Sequence, residues 1–170
     1  MKLNINGYAQ HGKDTVADMF VEFHKLKKVA ISLVIAKDII EKGELGPYDS
    51  VEDCYQDRVN NRGYWYSFIR DKCKHDNLHY TNIAITEGDI FVGHRNQKEF
   101  QAGKSMVTAT IWVDASGRGL PKEDNDSCDM SPLVKHDFYI DNSGELYETR
   151  QQVDAIMQLL NNRKKALNAY

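Results

Sequence analysis

Within nine residues near the start of the chain, Gly7-Tyr-Ala-Gln-His11-Gly12-Lys13-Asp14-Thr15, stand two glycines, a lysine, a carboxylate and a hydroxyl at a spacing suited to phosphate chemistry. Glycines let the backbone wrap closely around anionic oxygens and aim N–H groups inward. A helix beginning near Lys13 adds the positive end of its dipole, and the lysine ammonium reaches the outer phosphates. A short apolar run, Leu3-Asn-Ile5, comes before; Val16, Met19, Phe20 and Phe23 follow at helical spacing. Strand, glycine loop with lysine, then helix is the arrangement of a P-loop. Gly7, His11, Gly12, Lys13, Asp14 and Thr15 are therefore expected to hold a nucleoside triphosphate. One position departs from the common spelling. The residue after the lysine is Asp14, where a metal-binding Ser or Thr is usual, and Thr15 stands next. Asp14 suits Mg²⁺ through a water, and Thr15 suits an inner phosphate or the metal.

The elements that must carry this loop are those of an α/β chain. At 170 residues, with 41% hydrophobic and 28% charged residues, one globular domain is expected over 1–170. Its net charge of -3 supplies no basic field for a nucleic-acid polymer. No apolar run approaches a membrane span, and Met1 leads straight into a strand, so a cytoplasmic protein is expected. Cys54, Cys73 and Cys128 form neither a disulfide framework nor a zinc motif; Cys54 and Cys73 read as small buried hydrophobes. A homodimer is compatible with the sequence, which carries no readable oligomeric signal.

After the first helix, residues 28–32 read as a strand, and Ser32 as the cap of a helix with Ile35, Ala36, Ile39 and Ile40 inward and Gly43 at its end. Ser50 to Asp53 resembles a capping box that opens a third helix, and Trp65, Phe68, Ile69 and Cys73 mark a fourth. Residues 81–86 fit a helix or a strand equally. Further strands are expected at 89–93, 108–113 and 138–140, and helices at 97–104 and from Leu146 onward. The stretch 116–131 is rich in Gly, Pro, Asp and Ser and reads as a mobile loop. Strands alternating with helices predict a mainly parallel sheet flanked by helices.

A P-loop alone does not choose between kinases, NTPases and switches. There is no Asn-Lys-x-Asp guanine reader, and the chain is short for a motor. Four stretches then occur in order: Gly-Lys-Asp-Thr in the loop, Asp89-Ile-Phe-Val-Gly-His-Arg95 before an acidic helix, Ile111-Trp-Val-Asp114, and Asp137-Phe-Tyr-Ile-Asp-Asn142-x-Gly144. This order resembles the bacteriophage-type deoxynucleoside monophosphate kinases from residue 1 to about 160. The resemblance implies a three-layer P-loop kinase fold, ATP and Mg²⁺ as cofactors, and transfer of the γ-phosphoryl group to a (deoxy)nucleoside monophosphate. It also implies a phage origin and the host cytoplasm. It favours a helix over 78–86, an acceptor-binding helical region over about 48–88, and a lid-like loop over about 115–132.

In this light Lys13, Arg95 and Arg118 are expected to be catalytic, with Lys122 beside Arg118 in the lid. Arginine suits an acceptor phosphate because its planar fork binds two oxygens at once. Arg95 stands just past a buried strand, where ligands of open sheets bind, although a surface pair with Glu99 is the plainer alternative. Arg58 and Arg62 stand one helical turn apart with Asn61 and Trp65 beside them, the pattern of an acceptor helix; Lys37 is a weaker candidate. Trp65 fits packing as well as base contact. Asp114 ends its strand and suits Mg²⁺ or the capping of the next loop, whereas Asp89 begins its strand and does not suit the metal. Asn142 fits the donor nucleoside or a plain turn. Three functions stay open: the monophosphate kinase, a kinase for another acceptor such as phosphomevalonate or dephospho-coenzyme A, and a non-catalytic nucleotide-binding module.

Overall fold

A computed structural model describes residues 1–94, 96–122 and 129–169. Five strands, β1 (Leu3–Gly7), β2 (Lys28–Val29), β3 (Ile90–Val92), β4 (Ala109–Asp114) and β5 (Phe138–Asp141), form one sheet in the order β2-β3-β1-β4-β5. Every pairing is parallel; Leu3 stands between Ile90 and Ala109, and Gly7 opposite Val113. The P-loop strand is thus central, and its loop opens at the carboxyl edge, where such sheets bind ligands.

The sheet's two faces are built differently. On one, Leu3, Ile5, Ile90, Ile111, Val113 and Ile140 pack under α1 (Lys13–His24) and α7 (Leu146–Leu167), which contribute Val16, Phe20, Val153 and Leu160. On the other, Asn4, Asn6, Thr110 and Trp112 are buried, and Phe100 of α6 (Gln97–Gly103) joins Trp112, Met130 and Val134 there. Met130, near the far end of the 116–131 loop, is thus anchored in a core. A separate helical core joins α2 (Ile31–Lys42), α3 (Val51–Asp57), α4 (Arg62–Lys72) and α5 (His79–Glu87) through Ile35, Ile39, Cys54, Trp65, Phe68 and Tyr80.

Several local expectations change. Residues 79–87 are helix, which settles the ambiguity over 81–86. The second strand ends at Val29, and α2 starts at Ile31 with Ala30 as its cap, so Ser32 lies inside the first turn. Ser50 does cap α3, its hydroxyl accepting the Asp53 amide at 3.1 Å, and Gly43 closes α2 in the left-handed region. Arg58 and Arg62 do not share a helix: α3 ends at Asp57, and α4 begins at Arg62. The break between them is stapled by Asp57, whose carboxylate accepts from Tyr48, Asn60 and Asn61 at 2.8, 2.8 and 2.6 Å.

Gly7 shows how tightly the central strands fit. A Cβ there would meet the Val113 carbonyl oxygen, a backbone atom of the neighbouring strand, as well as Lys13 Cγ at 3.2 Å, and the residue has φ +154. Neither the strand nor the dihedral can yield cheaply. Gly7→Ala is expected to destabilise the fold by about 2–4 kcal/mol, measured by urea denaturation; a loss below about 1 kcal/mol would show that β1 and β4 can part here.

Candidate functional site

The loop between β1 and α1 is held open by neighbours on three sides. Gly12 caps α1 with φ 87 and makes no side-chain cap bond, so the first-turn amides present the positive helix end to the loop interior. Gly12 must be glycine for a second reason: a Cβ would strike Asn142 Nδ2. Asn142, 2% exposed, donates from that atom to the His11 carbonyl at 3.0 Å and accepts the Thr149 hydroxyl at 2.9 Å. It braces the loop against α7. The Lys13 ammonium donates to the Tyr8 carbonyl at 2.8 Å, across the mouth of the loop.

His11 is fully buried, with Nδ1 accepting the Ala115 amide at 2.9 Å and Nε2 3.3 Å from the Pro121 carbonyl. One tautomer satisfies both: Nδ1 bare and Nε2 protonated. Nδ1 also lies 3.2 Å from Asp114 Oδ1, which in that tautomer is a close approach and not an ion pair. Asp114 accepts the Ser116 amide and hydroxyl at 3.0 and 2.6 Å. Burial works to raise its carboxyl, but the two hydrogen bonds from Ser116 outweigh it and hold the group below the usual range.

The metal candidates are oxygen donors, the chemistry Mg²⁺ selects. Thr15 is exposed at the first turn of α1. Asp14 is also exposed, with its carboxylate 3.0 Å from Lys28 Nζ, which meets Asp18 at 2.9 Å. Asp114 keeps one carboxylate oxygen outside its Ser116 bonds. Among the described residues no three or more His, Cys, Asp or Glu side chains gather into a metal site. Asp89 does not join Asp14 and Asp114, because its carboxylate binds the Lys27 amide at the opposite strand end.

Beyond Asp114 a cavity of about 430 Å³ is lined by Trp112, Asp114, Gly117, Pro132, Tyr139, Ile140, Asp141 and Ser143. Arg118 borders it; its guanidinium donates to the Ser143 and Gly144 carbonyls at 3.4 and 2.9 Å, pinning the short 3-10 turn Ser116–Arg118 to the loop after β5.

The acceptor-side candidates are more dispersed. Arg58 folds back over the Tyr55 ring at 3.9 Å and donates to the Tyr55 carbonyl. Arg62 is exposed at the start of α4. Asn61 gives its amide to Asp57, and Lys37 is exposed on α2, 3.9 Å from Glu41. Trp65 is 6% exposed in the helical core, with no acceptor for its indole N–H among the described residues. Its bulk is used for packing. Arg95 lies outside the described residues.

Sequence reading missed the polar ladder beneath the loop. Asn6 donates to Asn4 at 2.6 Å and accepts the His94 amide; His94 Nδ1 meets Asn4 at 3.1 Å and Nε2 meets Thr81 at 2.9 Å; Thr81 reaches Glu99, and His136 approaches Asn6. Its signal was the alternation Leu3-Asn4-Ile5-Asn6, which marks one polar face on a central strand.

No protein-family description and no curated protein matches this chain. Among solved structures, a shikimate kinase from Bacteroides thetaiotaomicron matches at 8% identity and TM-score 0.51, over 95% of this chain and 98% of that one. A shikimate kinase from Aquifex aeolicus vf5 matches at 12% identity and TM-score 0.49, over 96% and 98%. The five-stranded parallel sheet flanked by helices is a P-loop NTPase-type fold, as the sequence led us to expect.

Proposed function

We propose that this chain is a nucleoside monophosphate kinase that moves the γ-phosphoryl group of Mg·ATP to a (deoxy)nucleoside monophosphate. The observation that carries the donor half is the braced loop: an uncapped helix end, Lys13 across its mouth, and a cavity of nucleoside size beyond Asp114. Lys13 supplies charge between the phosphates; Thr15, Asp14 and Asp114 would hold Mg²⁺, which neutralises charge developing on the transferred group. Arg118 and Lys122, on the segment after β4, would add positive charge once Arg118 leaves the Ser143 and Gly144 carbonyls.

An acceptor phosphate oxygen attacks the γ-phosphorus, the bond to the β–γ bridging oxygen breaks, and ADP leaves. Positioning and positive charge dominate such a step, and an ionised phosphate acceptor needs no general base. Support for a monophosphate acceptor comes from the ordered motifs and from Arg58, Arg62 and Arg95. Arg58 is turned onto Tyr55, so engaging a phosphate requires its side chain to swing; this favours keeping one rival, the same chemistry on another small acceptor.

The discriminating experiment is ADP release from Mg·ATP with each common ribo- and deoxyribonucleoside monophosphate, alongside shikimate, phosphomevalonate and dephospho-coenzyme A. ADP formation that depends on a nucleoside monophosphate is expected. Turnover with another acceptor alone would establish the rival, and ATP binding without any turnover would indicate a non-catalytic module.

A further inference from the structure

His11 is the point where four parts of the molecule meet. Its backbone belongs to the phosphate loop, and its carbonyl is fixed by Asn142, which is tied in turn to Thr149 of α7. One ring nitrogen accepts the amide of Ala115, the first residue after β4. The other faces the carbonyl of Pro121, 110 residues away in sequence. The ring is fully buried and meets Tyr8 edge-on at a centroid distance of 5.3 Å, so it has little freedom to reorient. Between Ala115 and Pro121 runs the segment that carries Arg118, with Lys122 next. Among the described residues, this imidazole joins the loop that would hold phosphates to the segment that would bring cations to them.

We infer that His11 is a positioning residue: through its two ring nitrogens, the shape of the occupied phosphate loop sets where Arg118 and Lys122 stand. Its two ring nitrogens bond backbone groups at opposite ends of a seven-residue segment. A displacement of the loop around a triphosphate would be passed by the ring to both ends of that segment. The inference rests on the loop holding the donor, and its test can be read without an acceptor.

Two substitutions divide the device. Asn places an acceptor near the position of Nδ1, so His11→Asn keeps the Ala115 bond and loses Pro121. Gln extends to the position of Nε2, so His11→Gln keeps the Pro121 bond and loses Ala115. We expect Mg·ATP to slow amide exchange over 116–122 in the wild-type chain. In H11N that slowing should fall about tenfold while ATP affinity stays within about threefold, the loss of one buried hydrogen bond. H11Q should recover most of the slowing and bind ATP more weakly. Where an acceptor is turned over, H11N should lose kcat and spare KM. The wild-type chain offers a reading independent of folding defects: the ¹⁵N resonance of His11 Nε2 should move on adding Mg·ATP. An unmoved resonance, or H11N with wild-type exchange and kcat, would overturn the inference. A wild-type chain that binds ATP but phosphorylates no monophosphate would defeat the acceptor assignment and leave this test standing.

Discussion

Replacing Lys13 with Ala should lower phosphoryl transfer by about a thousandfold or more while the chain stays folded. The ammonium is aimed across the loop mouth by its bond to the Tyr8 carbonyl, within reach of oxygens held at the helix end. A preorganised cation in such a site contributes a factor of about 10²–10³ to a developing charge, and its absence also weakens donor binding. Stability should change by no more than about 1 kcal/mol, since the bond to Tyr8 is only partly buried. Single-turnover transfer from Mg·ATP to an accepted monophosphate, with circular dichroism and urea denaturation as controls, separates the two effects. Retention of more than a tenth of the wild-type rate would remove Lys13 from the chemistry.

The chain should also lose several kcal/mol of stability as pH falls from about 6.5 to about 4. Burial pushes the His94 imidazole down to about 4, and the nearby His136 adds to the effect. Burial likewise pushes His136 down to about 4, in spite of its contact with the Val134 carbonyl. In the unfolded chain both take protons near 6.5; in the folded chain both stay neutral until pH approaches 4. The unfolded state therefore binds more protons across this window, and stability present above 6.5 drains away as pH falls through it. Each tenfold difference in proton affinity between the folded and unfolded chain is worth about 1.4 kcal/mol. Among the described residues, the two histidines therefore outweigh Glu99, which opposes them because burial raises its carboxyl. Urea denaturation at steps from pH 7 to 4 should show uptake of one to two protons on unfolding. A flat profile would mean that the ladder from Asn4 to Glu99 admits water or charge.

The donor half of the site was legible because its chemistry is local. Gly7, Gly12 and Lys13 lie within seven residues, and strand and helix flank them directly. Even so, the reason Gly12 is glycine lies at Asn142, 130 residues away, and sequence alone joined them only through a shared ligand. The acceptor half was less legible for the same reason reversed. Helical spacing put Arg58 and Arg62 one turn apart with Trp65 beside them, but Asp57 gathers Tyr48, Asn60 and Asn61 into a turn that breaks the helix between the arginines. Trp65 illustrates a standing ambiguity: an aromatic at helical spacing is written the same way whether it lines a pocket or fills a core. His11 reads in the sequence as a nucleotide contact, since nothing in its neighbours announces Ala115 or Pro121.

The seating of Gly7 beside Val113 also bears on how the molecule assembles. Its loop has no shape until the first strand has found the fourth, a pairing that closes more than a hundred residues of chain. The helices from Ile31 to Lys72, by contrast, pack largely on sequence neighbours and can form before that closure. Capture of a fluorescent triphosphate during refolding would therefore report the last long-range step, well after helical signal has returned.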